Sequence, residues 1–177
     1  KLLTLVTKSN AQRHGMVMWD EIFEEISQDY RDITTDKMLV DAMTTRMVLD
    51  PQSIDTVVAS NLHADILTDL AASLSGSMGI APTGNLDPEK RHPSMFEPIH
   101  GSAFDIMGQG IANPIGSYWS AVMMLENLGE LKASQRLMSA IEKLTSDKKI
   151  LPKDLGGKSS TKEVTKAMIN IISGKNK

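Results

Sequence analysis

The chain has 177 residues, 41% of them hydrophobic, with 19 Lys and Arg against 22 Asp and Glu for a net charge of -3. That composition can bury a core, and with no sustained basic run it excludes a nucleic-acid footprint. No stretch approaches the roughly 18 to 20 apolar residues needed to span a bilayer, and the absence of cysteine removes disulfides, thiolate metal sites and thiol nucleophiles, which fits the cytoplasm.

The elements read as follows in chain order. Leu2 to Thr7 alternates weakly as a short strand, and Lys8, Ser9 and Asn10 stand at its end. Trp19, Ile22, Phe23 and Ile26 recur at helical spacing and predict a helix over 12–27. Tyr30 to Thr35 reads as an edge strand or a connection. Met38, Leu39, Ala42, Thr45 and Leu49 predict a second helix, stopped by Asp50-Pro51 because proline disfavours helical geometry in the residue before it. Ile54 to Ser60 is a β-branched run of the kind buried on both faces of a parallel sheet. A helix over 62–74 follows, with Leu62, Ile66, Leu70 and Leu74 on one arc.

Residues 75–98 are dense in Gly and Pro and predict turns and edge strands, with a boundary between structural units near Gly76. Beyond Pro114 the spacing predicts a helix closed by Gly129, and another through Leu137, Met138, Ile141 and Leu144. The final helix carries the capping-box pattern Ser160-x-x-Glu163, the apolar stripe Val164, Ala167, Met168, Ile171 and Ile172, and a stop at Gly174.

Two segments carry candidate chemistry. Asp65 and Asp69 lie four apart, so both project from one helix face one turn apart. Such a pair is either a solvated acidic face or two ligands of a hard divalent cation, Mg²⁺ or Mn²⁺, which would turn their repulsion into attraction. Asp41 sits in an apolar-patterned segment and is either an exposed helix position or a third carboxylate for the same site. Lys8 is either a solvated strand-end lysine or a base or proton relay. The second segment runs from Glu97 to Pro114. It is either a tight Gly-rich connection or a loop around an adenosine, with main-chain amides on phosphate, Asp105 on ribose hydroxyls and Asn113 on the adenine edge. Gly108-x-Gly110 has no third glycine and no strand leading into it, so this is not a Rossmann fingerprint. His63 and His100 read as hydrogen-bonded packing residues.

Taken with the DLGGKSST run from Asp154, the NLHADILTD and MFEPIHGSAFDIMGQGIANP segments resemble the metal-dependent β-decarboxylating dehydrogenases of 2-hydroxy acids. That family includes the isocitrate, isopropylmalate, tartrate and D-malate enzymes. HADIL and SAFDIMG are most similar to the tartrate and D-malate branch, and the match corresponds to about the C-terminal half of such an enzyme.

The resemblance implies an α/β, isopropylmalate dehydrogenase-like three-layer fold. Residues 1–75 would belong to the dimer-forming, metal-binding domain and residues 76–177 to the cofactor-side domain. It also implies a homodimer with shared active sites. Asp65 and Asp69 would bind the metal in one subunit, with Asp41 of the partner completing the set and Lys8 supplied across the dimer to the reacting hydroxyl. Asn10 would approach the nicotinamide, and His100, Gly101, Ser102, Ala103, Asp105, Ile106 and Asn113 would hold the adenosine. An acid at Asp105 would repel a 2′-phosphate and favour NAD over NADP. The implied activity is oxidation of a 2-hydroxy dicarboxylate, tartrate or D-malate, with loss of the β-carboxylate. The alternatives are an isopropylmalate dehydrogenase and a non-catalytic subunit of the same family. Neither Tyr30 nor Tyr118 matches the family's catalytic tyrosine, and none of the five arginines matches its arginine clamp, so the chain by itself is expected to be inactive.

Overall fold

The computed structural model describes residues 1–174, and they divide into two compact units between Leu74 and Ser75. Both are α/β. In the first unit β1 (Leu2–Thr7), β2 (Thr34–Leu39) and β3 (Thr56–Val58) form a parallel sheet in the order β2-β1-β3. Each crossover carries a helix: α1 (Gly15–Ser27) joins β1 to β2, and α2 (Val40–Leu49) joins β2 to β3. The last helix of the unit, α3 (Asn61–Leu74), follows β3.

The central position of β1 explains its burial. Thr4 to Thr7 are all buried, on alternating faces, because the sheet has a strand on either side and helices above and below. Val6 meets Met43 of α2 and Leu67 of α3 in the core of the unit. Arg46 fastens the end of α2, donating to the Ser53 main-chain oxygen at 2.7 Å and the Ser53 hydroxyl at 2.8 Å, which occupies one of the five arginines structurally.

Two expectations for this unit change, and a third element is completed. Met38 and Leu39 belong to a strand and not to a helix, because the ladder pairs Val6 with Met38 and Thr7 with Leu39, and the helix starts at Val40. The Ile54 to Ser60 run contains a three-residue strand that is only half-buried, since β3 pairs with β1 on one side alone among the described residues. On α3 the buried residues are His63, Leu67 and Ala72, while Leu62, Ile66 and Leu74 are exposed. The helix therefore turns a mixed face to its own core and an apolar arc outward. Likewise no residue of α1 is fully buried, and Trp19, Ile22, Phe23 and Ile26 line an apolar groove with Leu3 and Val58.

In the second unit β4 (Pro82–Asn85) and β5 (Met95–Pro98) make an antiparallel pair, as the Gly- and Pro-rich composition suggests. Three helices follow: α4 (Ile115–Asn127), α5 (Leu131–Asp147) and α6 (Thr161–Ile172). Their core joins Ile115 and Val122 to Ala140, Ile141 and Leu144 of α5 and to Val164 and Met168 of α6. The capping box of α6 has both legs, with the Glu163 N–H on the Ser160 hydroxyl and the Ser160 N–H on the Glu163 carboxylate. Between α5 and α6, Gly156 adopts φ +81°, and a Cβ on Gly157 would lie 1.9 Å from the Leu151 carbonyl oxygen, so the Gly-Gly step is needed to turn the chain there.

Packing of α6 gives a direct test. Met168→Ala, at a buried position, is expected to cost about 2–5 kcal/mol, whereas Ile169→Ala, at an exposed neighbour, should change stability by less than about 0.5 kcal/mol. Denaturant unfolding followed on the second unit checks both.

Candidate active site

The parallel ladder brings the first pair of candidate residues together. Lys8 is the first residue past β1, and Asp41 is the second past β2. Because Thr7 stands opposite Leu39, the two strands end level and deliver both side chains to the same edge. The Lys8 ammonium donates to Asp41 Oδ1 in a short charged hydrogen bond. Lys8 is the more enclosed partner, with 28% of its side chain exposed against 64% for Asp41. The main-chain oxygen of Lys8 also accepts from the N–H groups of Ala11 and Gln12, both at 2.9 Å, so the chain turns sharply and leaves Asn10 exposed at the tip.

The hydrogen bond from Lys8 is the main cause that holds the Asp41 carboxyl below the usual carboxylate range, with a main-chain N–H at the start of α2 second. Asp41 lies in the first turn of that helix, where a negative charge also meets the favourable end of the helix dipole. An acid in an apolar-patterned segment is thus explained without burial: it is exposed, paired and placed at a helix N-terminus.

Asp65 and Asp69 sit one turn apart on α3, Asp65 exposed and Asp69 half-buried. Their main-chain oxygens accept from Thr68 and Ser73, but among the described residues neither carboxylate has a cation or hydrogen-bond donor in contact. Two like charges at this spacing destabilise a helix by a few tenths of a kcal/mol. Carboxylate oxygens are the donor type that a hard divalent cation takes. Among the described residues of one chain, no three His, Cys, Asp or Glu side chains gather into a metal-holding group. The structure thus joins Asp41 to Lys8 and leaves Asp65 and Asp69 as a pair.

In the second unit the candidate nucleotide loop leaves β5 through His100, whose Nδ1 lies 3.1 Å from the Gly101 oxygen. Residues Gly101, Ser102, Ala103 and Asp105 are exposed, and Ile106 is half-buried. Ala103 takes a left-handed conformation, φ +44°, which reverses the chain into a single 3-10 turn over Phe104–Ile106. The Gln109 side chain donates to the Asp105 main-chain oxygen at 2.7 Å, leaving the Asp105 carboxylate free to accept from a ligand. Asn113 ends the loop. Its Oδ1 accepts from the Ile115 N–H at 2.9 Å, and its Nδ2 donates to Asp154 at 2.9 Å. Asp154, Ser77 and Gly79 converge on Asn113 although composition and spacing did not single them out. The acid directly before a Leu-Gly-Gly turn was the available signal.

Residues 1–171 match the family described as Isocitrate/isopropylmalate dehydrogenase. The chain belongs to this family. It is 65% identical over 176 residues to a probable tartrate dehydrogenase/decarboxylase from Agrobacterium vitis, covering 99% of this chain and 49% of that protein. It is 43% identical over 177 residues to a D-malate dehydrogenase (decarboxylating) from Escherichia coli K12, covering 97% of this chain and 49% of that one. Among solved structures, isocitrate dehydrogenase from Methylococcus capsulatus superposes with a TM-score of 0.91 at 37% identity, over 97% of this chain and 50% of the other. The chain spans about half the length of the curated relatives it matches.

The Lys8–Asp41 pair has a predictable pH response. An acid whose folded pKa is depressed adds stability above its ordinary value near 3.9, and that stability is lost as pH falls through the lowered folded value. Lys8→Met should move the Asp41 titration midpoint back up towards the ordinary range. Carboxyl-detected NMR reads it, and an unmoved midpoint would show that Lys8 is not the cause.

Proposed function

We propose that this chain forms about half of a β-decarboxylating dehydrogenase that oxidises tartrate or D-malate with NAD and a divalent metal, Mn²⁺ or Mg²⁺, as a homodimer with shared sites. The observation that carries the reading is the arrangement of the first unit: Asp65 and Asp69 one turn apart on α3, unpaired among the described residues, and Asp41 held by Lys8 at the neighbouring strand ends. The names of the relatives at 43–65% identity support the substrate class.

Asp65 and Asp69 of one copy and Asp41 of a second would hold the metal, which when bound supplies Lewis-acid polarisation of hydroxyl and carboxylate oxygens. Lys8 holds or moves the proton of the reacting hydroxyl at its Nζ, and Asp41 fixes that nitrogen at the edge of the sheet. Asp105 accepts the ribose hydroxyls and repels a 2′-phosphate, which favours NAD over NADP. Asn10 at its turn approaches the nicotinamide, and His100, Gly101, Ser102, Ala103, Ile106 and Asn113 hold the adenosine side.

The dimer draws support from the outward arc of α3. Leu62, Ile66 and Leu74 are 61%, 53% and 50% exposed, and Val48 and Leu49 at the end of α2 are 55% and 78% exposed. A patch of this kind is normally covered, and the same helix carries the two unpaired carboxylates. A two-fold contact there would cover the patch and bring a second Asp41 to them.

Two measurements test the reading. Asp65→Asn and Asp69→Asn should each weaken Mn²⁺ binding at least tenfold by electron paramagnetic resonance and abolish metal-dependent turnover in the complete enzyme assayed with tartrate, D-malate and 3-isopropylmalate. Unchanged Mn²⁺ affinity would remove the ligand assignment, and a preference for 3-isopropylmalate would move the substrate assignment to that branch. In mixed dimers, a Lys8→Met subunit combined with an Asp65→Asn subunit should regain up to about half of wild-type activity. No regain would exclude sites shared in this way.

A further inference from the structure

We propose that Asp154 is a positioning residue for dinucleotide binding, a single carboxylate that sets the orientation of Asn113 and preshapes the end of the nucleotide loop. The proposal rests on the nucleotide reading of that loop and adds a residue outside it, 41 positions further along the chain.

The geometry is two short hydrogen-bond chains that converge on one oxygen, Asp154 Oδ2. The Gly79 N–H donates to the Ser77 hydroxyl oxygen at 2.9 Å, so the Ser77 hydroxyl hydrogen is left to donate to Asp154 Oδ2, and it does. The same Oδ2 accepts the Asn113 Nδ2–H at 2.9 Å, and Asn113 Oδ1 accepts the Ile115 N–H at 2.9 Å. Both ends of the Asn113 amide are therefore determined. A flipped amide would set its carbonyl oxygen against the Asp154 carboxylate and its NH₂ group against the Ile115 N–H, which is unfavourable at both contacts. In the orientation present, one Nδ2 hydrogen and one Oδ1 lone pair remain, a donor and an acceptor on one amide, the two functions an adenine edge also carries.

A neutral acceptor would hold this arrangement less firmly, because hydrogen bonds to a charged oxygen are roughly twice as strong as neutral ones. Space is set by the same group. A Cβ on Gly79 would lie 2.5 Å from Asp154 Oδ2 and 3.0 Å from Asn113 Cβ, so the carboxylate occupies the gap that a side chain at 79 would fill. A second tie runs from the start of α6, where the Thr161 N–H donates to the Gly110 oxygen at 2.9 Å and its hydroxyl to the Ala112 oxygen at 2.5 Å. The loop backbone is thus held through Thr161, and the side chain that would read the base is held through Asp154. Asp154 has no need to touch the ligand for its loss to be felt.

The test compares Asp154→Ala, the near-isosteric Asp154→Asn and Ser77→Ala, using NADH as probe. Asp154→Ala should raise the NADH dissociation constant about tenfold, and in the complete enzyme raise the KM for NAD by a similar factor with kcat within twofold. Asp154→Asn should fall between it and wild type, with the Asn113 side-chain amide resonances shifted in both. Ser77→Ala removes a donor to the same oxygen and should lower thermal stability while leaving NADH affinity within about twofold. NADH affinity unchanged in Asp154→Ala, unshifted Asn113 amide signals, or an equal loss in Ser77→Ala would each overturn the positioning role. Wild-type protein that fails to bind NADH would instead overturn the nucleotide reading of the loop, and the proposal with it.

Discussion

The level ending of two parallel strands is the constraint on which the first unit depends. In a parallel pair the side chains just past both strands emerge at the same edge of the sheet, which is where open α/β folds place their ligands. The pairing of Thr7 with Leu39 fixes that edge here, and Lys8 and Asp41 follow it within two residues. The salt bridge between them is a consequence of the register. A slip of one residue would turn Thr4 and Val6 to the opposite face and separate the pair. Core packing favours this register, since it sets Val6 against Met43 and Leu67.

Two charged features of the unit are in opposite conditions. Lys8 and Asp41 satisfy one another, while Asp65 and Asp69 repel across one turn of α3 with nothing opposite in charge beside them among the described residues. The helix that carries this pair also exposes Leu62, Ile66 and Leu74. Each of these is costly or neutral in a single copy, and their coincidence on one helix suits the shared site proposed above, in which one contact would cover the apolar surface and gather the carboxylates around a cation. Area burial would contribute the larger share of the free energy, because a few exposed leucine and isoleucine side chains outweigh a repulsion worth only tenths of a kcal/mol.

Local rules were sufficient to read some elements and not others. The strand over Leu2–Thr7, the helix after Pro114 and the capping box of α6 were legible because alternation, a proline and an Ser-x-x-Glu pattern act within a few residues. Met38 and Leu39 were misread as helical because their strand exists only by pairing with residues 32 positions away. The direction of the arc on α3 was not legible for a related reason. Hydrophobic periodicity locates an apolar face without saying which surface covers it, and here the intramolecular core takes His63, Leu67 and Ala72 instead. The acids at Asp41, Asp65 and Asp69 were visible as a pattern, yet their functional meaning came from resemblance, and the structure adds the Lys8 contact that no spacing shows. Asp154 stood in a recognisable run, but its contacts were not legible because its partners, Ser77 and Asn113, are distant in sequence.

The second unit has the opposite economy from the first. Its loop from His100 to Asn113 exposes amides and a carboxylate, groups that cost nothing while water satisfies them, and the cost of ordering them falls on binding. Ties at Gly110, Ala112 and Asn113 reduce that cost for the end of the loop alone, since they come from the Asp154 and Thr161 region and do not reach Gly101 or Ser102. The Asn113 end is therefore held in place by the fold itself, while Gly101 and Ser102 lie outside these ties. On the nucleotide reading proposed above, the base would meet an amide fixed from both sides while the phosphates would meet backbone without such ties, so discrimination among bases should be stricter than discrimination among the groups beyond them.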